Sequence, residues 1–258
     1  MNDRTGRSTA DEPETGGDGA GLGAPTLAED LLLLLFQPHS GAERSSGSIA
    51  GENILFYALG GAVLADLALG EHIRTAEGRG GAVTVEAIEG RRPADPLLGA
   101  AWDHIAEKPR GVQAVLAAVG PTLRGPVLDR LVDRGDIRRG TRRVLGLFDA
   151  AVLEDGGSGR RTELVGDVRG VLVDGTEPSP RTAALAALLY GSGTLPQFHP
   201  AIPWTSPVIA RAEELKRGNW GAGAAAEAVA RTMTATHREQ RHRRGRRAAA
   251  HMTGRADR

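Results

Sequence analysis

The sequence predicts a mainly α-helical fold, a single helical domain around a central buried helix, with one or two β-hairpins. Three observations predict it. Residues 54–69 are apolar nearly all round, the pattern of a helix buried on every side. Apolar stripes at helical spacing, each with its own start and stop signals, recur from Thr26 to about Gln240. Glycine-centred breaks at Gly78–Gly81 and at Gly140-Thr141 are flanked by short runs of strand-forming residues, the signature of hairpins.

In chain order, residues 1–25 are polar and Gly-rich and read as a disordered arm. Thr26-Leu27-Ala28-Glu29 is a capping box, and the apolar run 31–36 follows it until Pro38 stops the helix. Residues 39–51 form a Ser/Gly-rich loop. In the central helix 54–69, Gly60-Gly61 permits a close helix approach at some cost in stability, and Gly70 ends it. Residues 73–76 and 82–85 pair as the first hairpin. Asp95-Pro96 caps a helix with Leu98, Trp102 and Ile105 on one face and Pro109 beyond its end. Residues 112–119 form a short helix.

The stretch 123–149 organises the rest. Leu123, Val127, Leu128, Leu131 and Val132 make one helical stripe, and Arg134-Gly135 supplies a basic last turn and a left-handed stop. Residues 136–139 and 142–148 then flank Gly140-Thr141 as a two-residue hairpin. Residues 154–161 read as a flexible loop. Leu164, Val168, Val171 and Leu172 keep helical spacing, Ser179-Pro180 caps 182–190, and 191–203 is a Pro/Gly loop. Ser206-Pro207 opens 208–217 with Gly218 as the stop, and 219–240 is an Ala-rich helix. The expected division is an arm (1–25), a helical domain (26–236) and a basic disordered tail (237–258).

Composition excludes several chemistries. Lys+Arg and Asp+Glu are both 32, so overall charge selects no partner. Lysine occurs only at 108 and 216, and the Arg, Ala and Gly bias fits GC-rich bacterial coding. The tail carries Arg238, Arg241, Arg243, Arg244, Arg246, Arg247, Arg255 and Arg258 against Glu239 and Asp257. The absence of cysteine excludes disulfides and thiolate chemistry and fits a cytoplasmic protein. No signal peptide opens the chain. The apolar stretch 54–69 is too short to span a bilayer and holds Asp66, so membrane contact is expected to be peripheral.

No enzyme site assembles. Ser158 and Ser192 lie between glycines without the spacing of a nucleophile elbow. Residues 221–226 match a dinucleotide fingerprint in letters but follow no strand. The seven histidines, His39, His72, His104, His199, His237, His242 and His251, never pair at i, i+3 or i+4, so neither a metal nor another cofactor is expected. Asp66 reads either as a buried acid with a shifted pKa or as a backbone acceptor at a helix crossing.

The positive feature is a basic surface. Arg124, Arg138, Arg139, Arg142 and Arg143 are candidates for phosphate or lipid binding, because guanidinium binds phosphate bidentately. Leu145, Leu147 and Phe148 are candidates for membrane contact or self-association beside them. Exposed arginines also simply keep a strand soluble, and a helix followed by a basic hairpin is also a winged-helix fragment. Three readings therefore stand in order: an anionic-phospholipid module or adaptor, a nucleic-acid binder using the arginine tail, and a scaffold that forms a homo-oligomer through the hairpin.

Five stretches occur in order: TLAEDLLLLLF, YALGGAVLADLALGEHI, VLDRLVDRGDIRRGTRRVLGLF, PSPRTAALAALLY and RAEELKRGNWGAGAAAEAVA. Together, over residues 26–235, they resemble the Golgi phosphoprotein 3 / Vps74 family in its bacterial (actinobacterial) branch. The resemblance implies one largely helical domain with a protruding hairpin used against membranes and for self-association. Its eukaryotic members are peripheral membrane proteins that bind phosphatidylinositol 4-phosphate and hold enzymes through their tails. Their lipid site combines a tryptophan and an arginine around the central helix with two basic residues before the hairpin. By position these fall near Gly51 and on Gly60, Pro121 and Arg124, so Arg124 alone retains the implied side chain. Gly120-Pro121 and Gly125-Pro126 also interrupt a helix that runs more smoothly in the family.

Overall fold

Thr26 starts the first helix as the capping box requires. Its hydroxyl accepts from the Glu29 backbone N–H at 3.2 Å, and the Glu29 carboxylate accepts from the Thr26 N–H at 2.8 Å. The structure, a computed structural model, describes residues 22–38, 47–77, 83–144 and 148–219, and the side chains of these except at 77, 142–144 and 148–150. The expected arm up to residue 21, the greater part of the 39–51 loop, both hairpin tips, the Ala-rich helix after 219 and the arginine tail lie outside the described residues.

Helix α1 (Leu27–Leu35) is buried along its whole length, Glu29 and Asp30 included. Helix α2 (Leu55–Leu69), entered through a 3₁₀ turn at Glu52–Ile54, packs against it. The expected central helix is therefore one of a buried pair. With its 3₁₀ turn, Glu52–Leu69 reaches 18 residues and is long and apolar enough to cross a membrane, which corrects the expectation that it is too short. Here 61 % of it is buried inside the protein, because α1, α7 (Pro180–Gly191) and α4 (Val112–Val119) surround it.

Glycine permits one of these approaches. A Cβ at Gly60 would come within 3.0 Å of Leu116 Cδ2, and one at Gly120 would overlap the Phe56 carbonyl oxygen. Gly120 begins a 3₁₀ turn (Gly120–Thr122) that joins α4 to α5 (Arg124–Asp133) through residues that all keep right-handed helical angles. Gly125-Pro126 therefore does not interrupt α5. The proline falls in the first turn, where its missing N–H costs nothing.

The helix α5 buries Val127, Leu128 and Leu131 and stops at Gly135, whose φ is +74°. The Gly135 N–H donates to the Val132 carbonyl and the Asp136 N–H to the Leu131 carbonyl, closing the end as a Schellman turn. Helix α3 (Pro96–Ala106) starts at Asp95, whose carboxylate accepts from Leu97 N–H at 2.9 Å and Leu98 N–H at 3.0 Å. Helices α6 (Arg160–Leu172) and α8 (Ser206–Gly218) complete the set among the described residues, and one continuous apolar core joins α1 to α8.

Among the described residues, three small antiparallel sheets decorate the helices. Strands β1 (Phe36–Gln37) and β2 (Ser48–Ile49) pair across the expected loop. Strands β3 (Ile73–Glu77) and β4 (Val83–Ala87) form the first hairpin, and β5 (Arg110–Gly111) adds a third strand that two residues were too few to announce.

The second hairpin pairs β6 (Ile137–Val144) with β7 (Phe148–Asp155), and its register overturns the expected turn. Gly140 and Thr141 lie inside β6, opposite Val152 and Ala151. A Cβ at Gly140 would meet Glu154 Oε1 at 3.0 Å and Val152 Cγ2 at 3.2 Å, so the glycine marks a close cross-strand approach. Phe148 consequently opens β7 instead of ending the same strand as Leu145 and Leu147, both of which lie outside the described residues. The loop expected at 154–161 is mostly ordered structure as well. Glu154 and Asp155 end β7, Ser158 Oγ donates to Asp136 at 2.7 Å, and Arg160 starts α6.

Candidate functional site

The arginines singled out by spacing lie on two elements. Arg124 is the first residue of α5, and its Nε donates to Glu52 at 2.5 Å, across 72 residues of chain. Arg139 on β6 reaches back to Asp129 on the same helix. Arg124 and Arg139 therefore both border α5, each about half exposed. Five helical residues separate Arg124 from Asp129, an axial distance of about 7.5 Å and about 140° of rotation around the helix.

Arg138 does not join them. Alternate strand residues point to opposite faces, and Arg138 pairs across the ribbon with Glu154, at 3.2 Å from Nε and 2.9 Å from Nη2. Arg142 and Arg143 sit in β6 opposite Ala150 and Asp149. Their side chains, and that of Phe148, lie outside the described residues.

The sequence reading places these arginines near one another. The structure sets two of the three described ones beside α5 and gives each of the three a carboxylate. All six side chains in those pairs are between 46 and 67 % exposed. Exposed pairs of this kind contribute roughly 0–1 kcal/mol each, so they neutralise the surface without locking it.

Two of the positions implied by the resemblance are crowded. Gly51 has φ +68°, and a Cβ there would meet Thr194 Cγ2 at 2.8 Å. Gly60 faces Leu116, and Pro121 lies in the 3₁₀ turn before α5.

A second constellation, which sequence reasoning missed, surrounds the start of α1. Glu29 is fully buried and receives Arg134 Nε at 2.6 Å and Arg130 Nη1 at 3.4 Å. Arg130 also forks onto Asp95 at 2.7 and 3.1 Å. Asp30 is held by Arg160 and by Arg181, and Arg160 holds Asp136 as well. The available signal was an acidic pair inside an apolar run. Its partners lie 101 to 151 residues away, beyond the reach of any local pattern.

The electrostatics divide these carboxyls. Burial pushes Glu29 up, but the Thr26 N–H and Arg134 outweigh it and hold the group below its usual range. Asp95 is likewise raised by burial and lowered further by Arg130 and the helix amides. Asp66 goes the other way. Burial pushes it to about 6, against the Leu27 N–H and Arg181, with Asp30 and Asp95 adding to the rise. Both sequence readings of Asp66 hold together: it accepts from Leu27 N–H at 2.5 Å where α1 crosses α2, and it is a shifted acid.

Among the described residues, no three His, Asp or Glu side chains are grouped to hold a metal ion. The described residues enclose, among others, two open cavities. One of about 560 Å³ is lined mainly by apolar residues of α3, α4 and α5, among them Leu97, Ala101 and Val119. The other, of about 540 Å³, lies where α1, α3 and α7 begin, with Asp66 in its wall.

Among curated proteins, none matches the chain. The model of one protein family, described as Golgi phosphoprotein 3 (GPP34), matches residues 27–232, from the first residue of α1 past the end of α8. A match over most of the sequence, on a helical fold with antiparallel hairpins, places the chain in the Golgi phosphoprotein 3 (GPP34) family.

Proposed function

We propose that this protein is a non-enzymatic adaptor module that associates peripherally with membranes from the cytoplasmic side. In this reading it meets anionic phosphate headgroups, phosphatidylinositol phosphates by family resemblance, through the α5–β6 surface. The observation that supports the reading most is that Arg124, at the start of α5, and Arg139, bonded to Asp129 of the same helix, are both about half exposed, each paired with an exposed carboxylate. A phosphate offers guanidinium a stronger, bidentate partner than such a carboxylate. Arg138, Arg142 and Arg143 extend the basic ribbon, and Leu145, Leu147 and Phe148 are its proposed apolar tip. Arg124 is also the one residue that keeps the charge implied by the resemblance. Binding of protein partner tails belongs to the adaptor half of the same reading.

The test is co-sedimentation with phosphatidylcholine vesicles, with and without phosphatidylinositol 4-phosphate. Binding is expected only with the anionic lipid and is expected to weaken as salt rises. Arg124→Gln and Arg139→Gln should each lower affinity about fivefold, the effect of about 1 kcal/mol per basic side chain at an anionic surface. Glu52→Gln removes the carboxylate that competes for Arg124 and should raise affinity by about two- to fivefold. Absence of binding to any anionic vesicle at low salt would overturn the proposal.

The scaffold reading keeps one observation in its favour. Strands β6 and β7 form a sheet of their own among the described residues, and a two-stranded ribbon offers edges for pairing with a second copy. Sedimentation velocity separates the two readings, since a concentration-dependent dimer without lipid binding supports the scaffold. For nucleic acid the fold argues less. The polar face of α5 presents Gly125 and Pro126 beside its ion-paired ends, and the apolar face is spent on the core.

A further inference from the structure

The β6–β7 ribbon keeps one register from Ile137↔Asp155 to Val144↔Phe148, so a single bond fixes where each of its backbone groups points. In an antiparallel pair the N–H and C=O of a residue both face the partner strand or both face away, alternating along the chain. Two bonds set that alternation. The Asp136 carbonyl, just ahead of β6, accepts from the Gly156 N–H at 3.0 Å, so the even-numbered residues of β6 turn their backbone groups toward β7. The Leu153 carbonyl accepts from the Gly47 N–H at 2.8 Å, outside the ribbon. Leu153 therefore faces away from β6, and its partner Arg139 faces away from β7.

The two edges of the ribbon differ. That of β7 is engaged at Leu153 by Gly47, which leads into β2. That of β6 presents the backbone N–H and C=O of Arg139 and Thr141, and by the same alternation of Arg143. Among the described residues, no backbone group bonds to those of Arg139 and Thr141 on this edge. Arg138, Arg139 and Thr141 are all exposed. An open edge of this kind is a template for another strand.

Charge decides which strand fits. Strand β6 reads IRRGTRRV, with four arginines and no acid. An added strand would lie about 4.8 Å from β6 and about 10 Å from β7, so the arginines dominate what it meets. A second copy of β6 fits badly. Two-fold pairing centred on Gly140 sets Arg138 against Arg142, and pairing centred on Thr141 sets Arg139 against Arg143. Like charges directly opposite one another destabilise a sheet. The arginines that exclude a second copy select an acidic strand.

We propose that the β6 edge binds an extended acidic segment of a partner protein as an added antiparallel strand. Main-chain bonds to Arg139 and Thr141 supply attachment, and side-chain charge supplies selection. The spacing of the arginine pairs, 138–139 and 142–143, calls for two acidic pairs separated by two uncharged residues. The bonds of Arg138 to Glu154 and Arg139 to Asp129 are exposed and exchange readily for a partner's carboxylates. The inference rests on the adaptor half of the proposed function, whose partner it names by chemistry, and not on the headgroup half.

The probe is the end-blocked peptide Val-Glu-Glu-Thr-Gly-Glu-Glu-Val, added to the full chain and followed by NMR hydrogen exchange. The Arg139 and Thr141 amides are expected to slow by at least about tenfold at saturation, and the Gly140 amide, already turned to β7, by less than about twofold. The same peptide with lysine for each glutamate should bind at least about tenfold more weakly. Thr141→Pro removes an outward N–H without touching the β6–β7 ladder. It should lower peptide affinity about fivefold or more and leave vesicle binding unchanged. Should that variant fail to fold, peptides N-methylated at alternate positions read the same edge: one alternation should abolish binding and the other keep it. Unchanged exchange at Arg139 and Thr141 overturns the proposal, as does equal binding of the lysine peptide. Protection of those amides before any peptide is added overturns it too, since a second copy or another part of this chain then holds the edge. Peptide binding without vesicle binding supports this inference and defeats the headgroup reading alone. Vesicle binding without peptide binding defeats this inference alone.

Discussion

Glu29→Ala should destabilise the protein by about 3–5 kcal/mol, a large part of the roughly 5–15 kcal/mol that keeps a domain folded. The side chain is fully buried and does two jobs. It closes the capping box with Thr26, and it receives Arg134 and Arg130 in a place with little water. Deleting it leaves Arg134 with only the Gly23 carbonyl and Arg130 with only Asp95. An uncompensated buried guanidinium costs far more than the lost cap alone. Urea denaturation followed by circular dichroism measures the effect, and a loss under about 1 kcal/mol would show that the charge cluster contributes little.

The same residue has a pH signature. Its carboxyl is held below the usual value in the folded state, so its contribution is complete above its unfolded value of about 4.5. It is lost as pH falls through the folded value. Asp95 acts in the same sense. Asp66 acts in the opposite sense, since its value is raised, and it favours the folded chain toward acid. Stability should therefore pass through a shallow maximum on the acid side of neutrality, with the acid limb set by Glu29 and Asp95. In Glu29→Gln the acid limb should flatten. An unchanged limb would assign acid sensitivity to other carboxylates.

Gly60→Arg should unfold the protein and should not restore a headgroup site. The substitution supplies the charge that family resemblance places on the central helix, yet a Cβ there already meets Leu116 Cδ2 at 3.0 Å. An arginine needs space for its whole stem between two packed helices. Gly120→Ala tests the same crossing with one methyl group. It should cost about 3 kcal/mol, at the upper end for over-packing, because the obstacle is the Phe56 carbonyl and not a side chain that can turn away. Thermal denaturation and the vesicle assay measure both. A stably folded Gly60→Arg that binds phosphatidylinositol 4-phosphate more tightly would show that the crossing can open.

These expectations also show why the basic surface was only partly legible. Arg124, Arg138 and Arg139 were visible as arginines, but not the carboxylates they meet. Glu52 lies 72 residues from Arg124, and Asp129 faces Arg139 only because the ribbon folds back along α5. Strand alternation then separates Arg138 from its neighbour once the register is known. The register itself was misread at Gly140. Glycine in a strand and glycine in a turn look alike until the side chains of the opposite strand are placed.

Helix existence and helix ends were written locally. The capping box at Thr26, Asp95 ahead of Pro96, Ser179 ahead of Pro180 and the stop at Gly135 each satisfy backbone groups within a few residues, and each stands where the sequence put it. Apolar periodicity likewise settled which face of α5 goes inward, since burial follows from the spacing of Val127, Leu128 and Leu131. Tertiary structure alone decided which charges meet. It sank Glu29 and Asp30 among four arginines from α5, α6 and α7, left Asp66 with the weakest cation, and closed the space beside Gly60. The reason is range: a cap or a stripe is satisfied within a turn or two of chain, whereas ion pairs, cavities and helix crossings depend on where distant segments come to rest.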